Sequence, residues 1–84
     1  MRYTVLWSPE AEDRLCEIWL EAADRNAVTA AQATIDDELA TDPESKGTEV
    51  SEGLRRFKVE PVVVLFEIQP GDRSVKVTAV RSTP

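Results

Sequence analysis

The stretch PVVVLFEIQPGDRSVKVTAV, residues 61–80, decides the fold. Val62 through Phe66 is an uninterrupted apolar run, and Ile68 extends it past Glu67. Apolar side chains on both faces mark a central strand rather than an edge. Gln69-Pro70-Gly71-Asp72 is a turn signature, combining a residue that fixes φ with two that tolerate unusual backbone angles. Beyond it, Val75, Val77 and Ala79 alternate with Lys76, Thr78 and Val80, the period of two of a second strand. The two runs predict an antiparallel hairpin.

Working outward, GLRRFKVEP (residues 53–61) alternates Phe57 and Val59 with Arg56, Lys58 and Glu60, which adds a third strand and makes a three-stranded antiparallel meander. Residues 42–52 combine Pro43, Ser45, Gly47 and Ser51 with acids and one lysine, without periodicity, and read as a mobile surface loop. At the N-terminus, Tyr3, Val5 and Trp7 alternate with Arg2, Thr4 and Leu6 in a first strand. Ser8-Pro9-Glu10 then supplies a capping hydroxyl, a proline suited to the first helical position and an acid for the positive end of the helix dipole. Ala11, Leu15, Ile18, Trp19 and Ala22 trace one apolar stripe along that helix. Ala27, Val28, Ala31, Ile35 and Leu39 trace a second helix that ends near Asp42-Pro43, and the two helices form an antiparallel hairpin.

The expected fold is α+β: an N-terminal strand, a two-helix hairpin, then the meander, packed as a two-layer sandwich in a single domain over residues 1–84. Counting chain reversals makes the first strand antiparallel to the second and fourth strands, and either edge of the meander can accept it. The helices cover one sheet face, against Tyr3, Val5, Trp7, Val64, Phe66, Val75 and Val77. The opposite face is left with Arg56, Lys58 and Lys76, with Arg81 a further candidate.

Composition excludes several chemistries. The chain of 84 residues has one cysteine and no histidine, which removes an internal disulfide, the common zinc ligand sets and histidine-activated nucleophiles. No cofactor or metal is expected, and Asp and Glu clusters such as Glu10-Glu12-Asp13 and Asp36-Asp37-Glu38 read as helix surface. Catalysis, if any, falls to carboxylates, Arg, Lys, Tyr3 or a perturbed Cys16, although Cys16 reads as a half-buried, inert thiol. Trp7 and Trp19 read as core or interface anchors. No apolar run is long enough to span a membrane and the N-terminus lacks a secretory pattern, so the expected location is the cytoplasm. Formal charge is -6, yet unevenly spread: residues 1–52 hold thirteen acids against four bases, and residues 53–84 six bases against three acids.

Two strings resemble the RelE/ParE toxin superfamily: YTVLWSPEAEDRL, an alternating strand running into a serine-capped helix, and the closing hairpin quoted first. The resemblance implies the toxin of a type II toxin–antitoxin pair, with an antitoxin protein as partner. It implies one of two activities, ribosome-dependent cleavage of messenger RNA or non-enzymatic poisoning of DNA gyrase. A degenerate toxin that only pairs with its antitoxin or self-associates as a homodimer is a further alternative. In the nuclease branch the RNA 2'-hydroxyl attacks the neighbouring phosphate, which requires a base and cations to hold the charge that develops. By position the resemblance assigns these catalytic roles to Arg55 or Arg56, with Lys58, on the second strand and to Arg81 near the C-terminus; no base is identified. The chain departs from the nuclease branch in carrying Val63 where that branch carries arginine, and in having Tyr3 as its only tyrosine. From the residues alone, the cations also serve to keep an exposed sheet face in water.

Overall fold

The computed structural model describes residues 2–83. Strand β1 (Thr4–Trp7) stops at Ser8, whose Oγ accepts a hydrogen bond from the Ala11 amide at 3.1 Å and opens helix α1 (Pro9–Glu21). Pro9 sits where a missing N–H costs nothing. Asp24 caps α2 (Arg25–Thr41) in the same way, accepting from the Ala27 amide at 3.1 Å. The turn between the helices is clamped by Arg25. Its guanidinium lies 4.7 Å from the Trp19 ring centroid and donates to the Trp19 and Leu20 carbonyls, supplying the positive charge that the last turn of α1 lacks.

Four more strands follow: β2 (Thr48–Ser51), β3 (Leu54–Val59), β4 (Val62–Gln69) and β5 (Ser74–Ser82). They form one sheet with β1 in the order β1-β5-β4-β3-β2. The meander β3-β4-β5 is antiparallel throughout, as its sequence predicts, and β4 lies at the centre. Ile35 and Leu39 of α2 and Ala11, Leu15 and Ile18 of α1 pack on Val62, Val64, Phe66, Val75 and Val77. Tyr3, Val5 and Trp7 pad this core from β1.

Two expectations are corrected. Residues 42–52 are not a structureless loop: a 3₁₀ turn at Pro43–Ser45 leads to Gly47 and then into β2, which pairs antiparallel with β3. Gly47 has φ 70°, and a Cβ there would collide with the Arg56 carbonyl, so only glycine lets the chain run so close to β3. Lys46 adds a 2.6 Å ion pair to Glu38 of α2; that hydrogen bond, then the carboxylate charge, raises its pKa. The extra strand also reverses the chain once more than the sequence count allowed. Hence β1 runs parallel to β5, with Val5 opposite Val75 and Trp7 opposite Val77, instead of antiparallel to it.

Candidate functional site

The bare face of the sheet is assembled by an irregularity in β5. A strict period of two would keep Val75, Val77, Ala79 and Arg81 on one side. In the structure Val77 opposes Phe66 while Ala79 opposes Leu65, so Thr78 has no partner across β4. Its hydroxyl donates back to the Leu65 carbonyl at 3.4 Å. This β-bulge shifts the phase of everything after it. Val80, opposite Val64, goes under the helices, whereas Ala79 and Arg81 face outward. The expected alternation of Ala79 with Val75 and Val77 therefore fails, and its failure brings Arg81 to the site.

Register then fixes the cluster. Arg56, Leu65 and Ala79 form one row across β3, β4 and β5, and Lys58, Val63 and Arg81 form the next. Adjacent strands are about 4.8 Å apart, which sets Lys58 and Arg81 about 10 Å apart across β4 at the backbone. Long side chains close that gap: Arg56, Lys58 and Arg81 line a shared cavity of about 390 Å³ with Val63 as its floor. Val63 is only 8% exposed although no helix covers it. The aliphatic stems of the cations shield it while their charged ends stay in water.

Glu60 and Thr83 complete the cavity, and sequence reasoning missed both as site residues. The signal for Glu60 was present, since a period of two from Arg56 and Lys58 reaches it. Thr83 donates to Glu60 Oε2 at 2.7 Å, and Lys58 Nζ lies 3.3 Å from Glu60 Oε1. The Thr83 hydrogen bond, then that from Lys58, hold the Glu60 carboxyl below the usual carboxylate range. The cluster is thus three cations and one ionised carboxylate. It can bind a phosphate group, with each arginine able to present two parallel donors.

Arg55 is not part of this group. It opposes Phe66, on the helix side, and its guanidinium donates to the Lys46 and Gly47 carbonyls at 2.9 and 3.1 Å, tying the start of β2 to β3. Lys76 is on the bare face but opposes Glu67. Tyr3 lies in the core layer and donates to Glu44 at 3.3 Å; partial desolvation, then the Glu44 charge, raises its pKa. Cys16, expected half-buried, is exposed on α1. Trp7 packs on the core and donates to Asp36 at 2.7 Å. Among the described residues no three His, Cys, Asp or Glu side chains are grouped to hold a metal, and no helix is long and apolar enough to cross a membrane.

The backbone arrangement is that of known toxins. The chain superposes on one chain of the toxin–antitoxin complex RelBE2 from Mycobacterium tuberculosis with TM-score 0.81 at 16% identity, covering 98% of this chain and 92% of that one. A chromosomal ParDE system from P. aeruginosa gives TM-score 0.74 at 12% identity over 99% and 98% of the two chains. The archaeal RelE–RelB complex from Pyrococcus horikoshii OT3 gives 0.71 at 14% over 98% and 96%. No curated protein matches the sequence directly. A family model does: that of the ParE toxin of the type II toxin–antitoxin system parDE matches residues 5–83. Over nearly its whole length, therefore, the chain belongs to the family of ParE toxins of type II toxin–antitoxin systems.

Proposed function

We propose that this toxin acts by binding its target through Arg56, Lys58 and Arg81, in the manner of the gyrase-poisoning branch, and that an antitoxin keeps it silent. The convergence of these three side chains around one cavity supports a phosphate-bearing target, such as DNA held by gyrase. The floor of the cavity supports binding over cleavage: Val63 stands between Lys58 and Arg81 where the nuclease branch carries arginine, and Tyr3, the only tyrosine, lies in the core layer. An antitoxin finds a seat at either edge of the sheet. The strands at either end of the sheet, β1 and β2, offer backbone groups to an added strand, and β2 has all four residues exposed.

Cleavage of messenger RNA on the ribosome is the second reading. It is favoured by the same arginines, which suit a phosphorane as well as a resting phosphate. Inducing the chain without its antitoxin separates the two. The binding account predicts growth arrest with a DNA-damage response and intact messenger RNA. Arrest with messenger RNA cut at ribosomes would transfer the function to the second reading. Indifferent growth at high expression would overturn both.

A further inference from the structure

A cleft of about 500 Å³ opens between the layers where the helix hairpin turns above the β3–β4 connection. Ile18, Ala22, Ala27, Val28 and Pro61 make its walls, so the floor is apolar and the alanines leave it roomy. Its size suits one large side chain with its flanking backbone. Glu21, Asp24 and Glu60 stand around it, and no cation lines it. Arg25, the nearest basic residue in sequence, is turned away onto Trp19 and the carbonyls of Trp19 and Leu20. Among the described residues, Glu21 and Asp24 make no salt bridge, while Glu60 is shared with Lys58. Glu21 does nothing for its own helix, because it is the last residue of α1, where the dipole disfavours a carboxylate.

We propose that this cleft receives a partner segment in which one aliphatic side chain is flanked by lysine or arginine. The apolar walls take the aliphatic group and the three carboxylates take the cations. The inference deepens the antitoxin reading and rests on it for the partner's identity, but the seat itself is defined by the cleft. Glu60 belongs to both the cleft and the cationic cavity, so a segment bound here lies beside Lys58.

The test uses the isotope-labelled full chain and two synthetic peptides that differ only around a central leucine, one flanked by lysines and the other by glutamates. The lysine peptide is expected to shift the amide signals of Ala22, Ala27, Val28 and Ser82 and to bind at least about tenfold more tightly than the glutamate peptide. Replacing its leucine with serine should lower its affinity. Glu21→Lys should weaken it about tenfold without lowering the melting temperature, since lysine suits a helix C-terminus. Equal binding of the two peptides, shifts centred elsewhere, or no shifts at millimolar peptide would overturn the proposal. So would shifts of the same residues that depend on protein concentration without peptide, which would make a second copy the occupant. Failure of a co-expressed antitoxin to bind at all, with the peptide result intact, would instead remove the antitoxin reading and leave the site.

Discussion

Phe66 and Leu65 are neighbours on β4, yet Phe66 is wholly buried beneath the helices while Leu65 is half-buried on the other face, in a cavity shared with Arg56, Ala79 and Val50. One face is closed by a second layer of the protein, and its stability comes from apolar area removed from water. The other is closed by nothing but its own arginine and lysine stems. The same strands therefore carry a core and a charged, exchangeable surface. Which residue belongs to which is set by alternation and, in β5, by one unpaired residue.

The contrast is broken most severely by truncation. Phe66→Ala should cost about 3–5 kcal/mol in denaturant unfolding, whereas Leu65→Ala, one residue away, should cost about 1 kcal/mol. Comparable losses would mean that the bare face is also covered in solution. Deleting Thr78 probes the boundary itself: the remaining residues alternate strictly, with Val75, Val77 and Val80 inward and Ala79 and Arg81 outward, so every side chain keeps its face. Stability should change by about 1 kcal/mol or less and phosphate-analogue binding should be retained, whereas Arg81→Ala should lose it. Loss of binding on the deletion would show that Thr78 is not the extra residue that sets the phase of Arg81.

A smaller effect separates two adjacent arginines. Arg55→Ala removes two charge-assisted hydrogen bonds to the Lys46 and Gly47 carbonyls and should cost about 2 kcal/mol, with faster amide exchange in β2. Arg56→Ala should stay within about 0.5 kcal/mol while weakening anion binding. The reverse order would exchange their roles. The smallest effect is a matter of pH. Because the folded pKa of Glu60 is depressed, its bonds to Thr83 and Lys58 stabilise the fold above the ordinary value of 4.5 and are lost as pH falls through the folded value. The same protonation releases Lys58, so anion affinity should rise as stability falls. Glu60→Gln should remove both dependences, and a pH profile unchanged by that substitution would contradict the assignment.

Much of this was legible from the residues. Alternation and turn chemistry disclose the meander, and Ser8-Pro9 discloses the start of α1, because each rests on local backbone preferences. β2 was not legible: Thr48–Ser51 is polar, follows Pro43 and Gly47, and becomes a strand only by pairing with β3 and through the grip of Arg55. Missing it inverted the direction of β1, since one unseen strand changes the parity of every later reversal. The bulge was equally silent. In Val77-Thr78-Ala79-Val80 either alanine or the second valine can face the core, and only packing against Val64 decides. At the site, the period of two correctly grouped Arg56 with Lys58, but Arg55 is bound to loop carbonyls that no spacing reveals, and Thr83 acts through a long-range bond to Glu60.

If the outward cations, and not the helix layer, carry the toxic action, an induced Arg56→Met, Arg81→Met double variant, which keeps the apolar stems over Val63 and removes two charges, should fold, bind its antitoxin and no longer arrest growth. Arrest as strong as that of the unmodified chain, at equal expression, would contradict it.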